Sequence, residues 1–149
     1  MSEHLVRIGT TYLPVSNVER STNWYVTKLG AKLNYQDESK AILDLANQSF
    51  FLVSSQKGES SNFYNSKGEE CFSITFEVEG IQALETIRKN FIEKKIMVSE
   101  VEDRAHAGKN FVFHDPDGNT FDVWSEVSTK YKERYLVQDF NEKGVTGNE

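Results

Sequence analysis

The chain runs twice through the same order of secondary-structure signals, and this repetition limits its fold more than any other feature. Residues Leu5 to Leu13 are apolar and β-branched and stop at Pro14, which reads as a strand. Ser16-Asn17 then offers an N-cap, and the segment Val18 to Leu29 ends at Gly30, a residue suited to the left-handed turn after a helix. Three short strand-like runs follow, Lys32 to Tyr35, Ala41 to Leu45 and Ser49 to Ser54. After the polar, turn-rich stretch 56 to 70, the order restarts with a strand over Cys71 to Val78. Beyond Gly80 comes a helical face of Ile81, Leu84, Ile87 and Phe91. Ile96 to Val101, Asn110 to His114 and Thr120 to Ser125 supply three more strands, the last two joined by Asp115-Pro116-Asp117-Gly118, a turn sequence.

A unit of roughly 65 residues with one helix cannot bury its apolar face alone, so two copies imply two βαβββ modules that pair. The predicted fold is α+β, a single domain over 1–149. Module one covers about residues 5–55, the linker 56–70 and module two about 71–126, with an extension over 127–149. Thr10 to Asn17 aligns with Ser73 to Gly80, and Phe50 to Ser54 with Phe121 to Ser125; the loop Glu102 to Lys109 holds the residues that module two has in excess. In the extension, Lys130 to Phe140 reads as a short helix and Asn141 to Glu149 as a frayed end.

The net charge of -6 argues against nucleic acid as a partner, because counterion release needs clustered Lys and Arg. No apolar run is long enough to span a bilayer, and Met1-Ser2-Glu3-His4 lacks the basic and apolar regions of a signal peptide, so a cytoplasmic location is expected. The single Cys71 excludes an internal disulfide and reads as a small buried hydrophobe rather than a nucleophile.

The motif Phe113-His114-Asp115-Pro116-Asp117-Gly118-Asn119-Thr120-Phe121-Asp122 resembles the closing hairpin of the vicinal oxygen chelate superfamily, the glyoxalase, bleomycin-resistance and ring-cleaving dioxygenase proteins. Val15 to Ser21, leading into a helix with Trp24-Tyr25 and Leu29-Gly30, resembles their first strand-helix junction, and the likeness spans about residues 5 to 126. The resemblance implies cupped mixed sheets and a homodimer. In the metal-using relatives, ligands sit on the first and last strands of each module, at positions carried over to Thr10, Phe51, Ser73 and Asp122. Of these only Asp122 is a competent ligand, whereas a zinc site wants three protein ligands and hard cations want several oxygens. No metal cofactor is therefore expected. Among the histidines, His4 lies near the terminus, while His106, in the loop Glu102 to Lys109, is placed to fold over the cavity and restore a nonstandard site with Asp122.

Strand alternation then predicts a concave face carrying Thr10, Tyr12, Phe51, Ser73, Thr75, Glu77, Phe111, Phe113, Thr120, Asp122 and Trp124. Its second half assumes that His114 pairs with Asn119, which sets Phe111 opposite Asp122 and turns His114 away; a one-residue slip reverses this. Such an aromatic face with a few polar points suits a small aromatic or planar ligand, through stacking and cation-π contact, although the same rings would equally serve as core. The leading expectation is a metal-independent small-molecule-binding protein. The competing one is a glyoxalase-type lyase, isomerase or dioxygenase with Asp122 as ligand or general base and His106 as a second catalytic group, and a third is a dimeric interaction module.

Overall fold

In the computed structural model, which describes residues 3–133, the elements of the first module follow the predicted order. Strand β1 (Thr10–Val15) leads into helix α1 (Val18–Leu29), followed by β2 (Lys32–Gln36), β3 (Lys40–Leu45) and β4 (Gln48–Ser54). The Asn17 side chain accepts the Arg20 N–H at the start of α1, and Gly30, at φ 73°, closes its end by donating to the Tyr25 carbonyl. The sheet order is β1-β4-β3-β2, with β1 parallel to β4 and the other pairs antiparallel. Alternation sends Leu13, Val15, Ala41, Leu43, Phe50 and Leu52 into the core. Tyr12 and Phe51, directly opposite each other, point to the helix-free side.

The arm ahead of β1 departs from expectation: the strand begins at Thr10, not Leu5. Ser49 still donates to the Gly9 carbonyl, and Gln48 and Arg7 side chains tie the arm to the β3–β4 turn, but Leu5, Val6 and Ile8 are exposed. In the linker, β5 (Phe63–Tyr64) and β6 (Glu70–Cys71) form a small hairpin whose turn is held by Asn65 Oδ1 accepting from Lys67 and Glu69. The long strand expected from Cys71 is thus split, and Cys71 ends this hairpin, half-buried.

Module two comprises β7 (Ile74–Glu77), α2 (Ile81–Glu93), β8 (Asn110–His114) and β9 (Thr120–Trp124), in the sheet order β7-β9-β8. The predicted strand over Ile96 to Val101 is reduced to isolated bridges at Val98–Phe113 and Glu102–Asn110. One cause is local. The Ser99 hydroxyl, not a backbone carbonyl, takes the Val112 N–H, and a side chain that substitutes for the backbone interrupts a ladder. Of the expected C-terminal helix, α3 (Thr129–Tyr131) is described; the remainder, and the end Asn141 to Glu149, lie outside the described residues.

The two modules share one apolar core. Phe50 of the first sheet stacks on Phe76 of the second at 6.0 Å, and the Phe121 ring meets Tyr25 edge-on. The Asp115-Pro116-Asp117-Gly118 turn, predicted as a hairpin closure, also clamps the start of the other module. The buried Tyr25 hydroxyl donates to Asp115 Oδ2 at 2.6 Å, Asn119 Nδ2 donates to the Pro14 carbonyl, and Ser16 and Arg20 bind Asp117 Oδ1. Burial, reinforced by the Asp115 charge, raises the Tyr25 pKa well above the ordinary tyrosine value. Burial also pushes the Asp117 carboxyl up, but the Ser16 bonds and the Arg20 charge outweigh it and hold the group low.

Candidate functional site

The β8–β9 register decides which side chains reach the helix-free face of module two. His114 pairs with Thr120, Phe113 with Phe121, Val112 with Asp122, Phe111 with Val123 and Asn110 with Trp124. This is one residue away from the predicted pairing and exchanges the two faces of β8. Phe111 and Phe113, expected on the concave face, lie instead in the core, where Phe91 of α2 packs on both and Phe76 stacks on Phe113. The physical reason is burial. Two phenyl rings gain more against α2 than beside a carboxylate, and the register follows them. His114 takes the open face, with Nδ1 3.0 Å from Thr120 Oγ1.

Asp122 is the centre of the polar cluster on that face. It is 3% exposed: Thr75 Oγ1 donates to Oδ2 at 3.1 Å and Asn110 Nδ2 donates to Oδ2 at 2.9 Å, while Oδ1 makes no hydrogen bond and is held by the Arg104 charge, with Nη1 3.0 Å away. Thr75 is there because parallel pairing sets it directly across from Asp122, and Asn110 because the β8 register turns it to the same side. Arg104 comes from the loop. Asp103 Oδ1 accepts the Ala105 N–H, and Ala105 takes the left-handed φ of 64°, a tight reversal with Arg104 at its centre. The guanidinium also binds Glu102 and lies over the Phe72 ring, 5.4 Å from its centroid. Burial works against its charge, but Glu102 and Asp122 together keep it firmly protonated.

The loop does fold over the open face, yet the residue it delivers to Asp122 is Arg104 and not His106. His106 packs edge-on against Trp124, with ring centroids 5.9 Å apart, and its Nδ1 lies 2.8 Å from the Ala107 carbonyl. Trp124 Nε1 donates to that same carbonyl, and Lys109 exchanges bonds with Ser125, so the loop is seated on the end of β9. Gly108 makes the close approach feasible. At φ 73°, an added Cβ would collide with Ser125 Oγ and come within 2.9 Å of Glu126 Cγ.

The other predicted residues are dispersed. Ser73 precedes β7 and donates to the Ser61 carbonyl, while Glu77 Oε1 accepts the Ser128 N–H and anchors the chain after β9. Thr10 pairs with Ser49; two residues on, the Tyr12 and Phe51 rings touch at 5.0 Å and form an aromatic patch on module one, with Tyr12 64% exposed. As a metal centre the donor set does not fit. Phe51 has no donor atom, Thr10 and Ser73 are neutral hydroxyls, and Asp122 is committed to a guanidinium. Among the described residues, no group of three or more His, Cys, Asp or Glu is placed to hold an ion.

A βαβββ module followed by a second copy with one strand reduced to bridges, each with a helix-free sheet face, defines the class of fold. The model of the Glyoxalase/Bleomycin resistance protein/Dioxygenase superfamily matches residues 4–123, and the chain belongs to that family. Solved structures agree on the fold. Lactoylglutathione lyase from Agrobacterium tumefaciens is similar at a TM-score of 0.64 and 16% identity, over 82% of this chain and 95% of that one. The fosfomycin resistance protein FosX of Listeria monocytogenes aligns at a TM-score of 0.68 and 13% identity, over 83% and 96%. A glyoxylase/bleomycin resistance protein/dioxygenase domain from Frankia sp. EAN1pec aligns at 0.62 and 17% identity, over 81% and 98%. No curated protein matches the sequence.

Proposed function

We propose that this chain is a small-molecule-binding member of its superfamily that works without the metal, taking an aromatic or planar ligand on its helix-free face. The observation that supports this most directly is the state of Asp122. The single acid at a position resembling a metal ligand is already neutralised by Arg104 and bonded by Thr75 and Asn110. The open faces are ring-rich: Trp124 and Phe72 lie on that of module two, and Tyr12 and Phe51 on that of module one. Flat rings on a sheet face offer stacking area at little conformational cost. A homodimer that sets the open face of one copy's module one against module two of the other would bring these rings around one ligand, and we propose that assembly, in the cytoplasm.

A thermal-shift screen of aromatic and planar compounds against metal-free protein tests the reading. A ligand at a hundred times its dissociation constant adds roughly 2.7 kcal/mol to the folded state. The reading predicts clear shifts for several ring compounds, weakened by Tyr12→Ala or Trp124→Ala. A panel that shifts only after a divalent metal is added supports the competing enzyme, with Asp122 and His106 at its centre.

A further inference from the structure

Beneath Arg104 lies a pair of buried side chains that is short of donors. Asn110 is 3% exposed, and its orientation is dictated by Asp122, since only Nδ2 can donate to a carboxylate oxygen. That leaves Asn110 Oδ1 buried with no partner, beside a 3%-exposed carboxylate whose Oδ1 also makes no hydrogen bond. An unpaired buried acceptor is costly, and an N–H from an incoming group would satisfy it. The remaining element is flat and apolar: the Phe72 ring, across which a planar cation already lies.

Arg104 differs from its neighbours in being only half committed to this seat. Its side chain is 28% exposed, and through Nε and Nη2 it is also bound by Glu102, whose backbone is held by Asn110 while its carboxylate is 46% exposed on the solvent side. Glu102 can therefore keep Arg104 paired when it leaves Asp122, whereas Asp122 and Asn110 are fixed on β9 and β8. Deepening the ligand-binding reading above, and resting on it, we infer that Asp122, Asn110 and Phe72 form a subsite for a planar, delocalised cation of the ligand, an amidinium or guanidinium, which Arg104 fills in the free chain as a tethered stand-in. The carboxylate supplies the charge, the amide oxygen a second acceptor, and the ring a face to stack on. Ligand entry is an exchange of one cation for another, so the buried acid never loses its counter-ion. Selectivity follows from the exchange, because a neutral ring cannot replace the charge that Arg104 carries away.

Benzamidinium and its neutral analogue benzamide are the probes, measured by calorimetry and thermal shift on the full chain. Removing the stand-in with Arg104→Ala is expected to tighten benzamidinium at least tenfold over the unaltered protein and leave benzamide unchanged. Adding Asp122→Asn to that variant is expected to erase the gain. Arg104→Gln, which keeps the stem and its packing on Phe72, carries the test if the alanine variant is too unstable, and its melting temperature must then rise with benzamidinium and not with benzamide. Equal response to both probes, or a gain that survives Asp122→Asn, overturns the inference. If the unaltered protein binds neutral ring compounds while neither Arg104 variant gains cation selectivity, this subsite alone is wrong. If nothing in the aromatic panel binds to any variant, the ligand-binding reading fails with it.

Discussion

Arg104 Nη1 lies 3.0 Å from Asp122 Oδ1, so a loop residue with no partner legible in the sequence occupies the buried acid at the centre of module two's open face. The pair joins a carboxylate fixed on a central strand to a cation on a loop, and its two halves respond differently to mutation. Arg104→Ala strands a buried charge that keeps two hydrogen bonds and is expected to destabilise the fold by about 2–3 kcal/mol, below the cost of breaking a fully buried pair. Asp122→Asn removes that charge and leaves Arg104 with Glu102, so the double variant should be more stable than Arg104→Ala alone. Urea unfolding of the three proteins measures this; additive losses would deny the coupling.

The face exchange in β8 has a direct energetic signature. Phe113→Ala empties a 2%-exposed core position and should cost about 3–5 kcal/mol. Tyr12→Ala, at an exposed position on the open face, should cost under about 1 kcal/mol and act on ligand binding instead. Comparable losses in both would mean that the aromatic face of module one is core.

Gly108 seats the loop. Gly108→Ala adds a left-handed penalty of about 1 kcal/mol to the collision with Ser125 and Glu126, so the loop should lift from Trp124. The tryptophan emission should shift to the red with little loss of helical circular dichroism. Unchanged emission would show that the loop tolerates the extra carbon.

The bond from Tyr25 to Asp115 ties the modules together and sets an alkaline limit. Tyr25 has its folded pKa raised above the ordinary 10.0 by burial and by Asp115, so it contributes stability that is fully present below pH 10 and lost as pH rises through the folded value. Tyr25→Phe should cost about 1–2 kcal/mol at neutral pH and flatten the loss above pH 10. Denaturation midpoints between pH 8 and 11 report both effects.

Much of the architecture was legible because it follows from short-range signals. The Asn17 cap, Gly30 and the Asp115-Pro116-Asp117-Gly118 turn each specify a local geometry, and the repeated order of strand and helix signals implied two modules. The register of β8 was not legible. Asn110 to His114 alternates polar and aromatic side chains that fit either side of the sheet, and only the position of Phe91 on α2 selects the side that buries the rings. That Asp122 and Thr75 share the open face was legible, since both follow from the alignment of the two copies. Arg104 was missed because a loop side chain has no periodicity to announce its direction; its one signal is a cation directly after Glu102-Asp103, ahead of a strand whose partner carries a buried acid. Asn110 was missed for the same reason as the register.

Titration calorimetry of the purified, chelator-treated chain with Zn²⁺, Ni²⁺, Mn²⁺ and Fe²⁺ tests the central claim most directly. With Asp122 engaged by Arg104, the account predicts no stoichiometric binding for any of the four ions and ligand-induced stabilisation that chelator does not alter. One equivalent of metal bound tightly, and lost in Asp122→Ala, would contradict it.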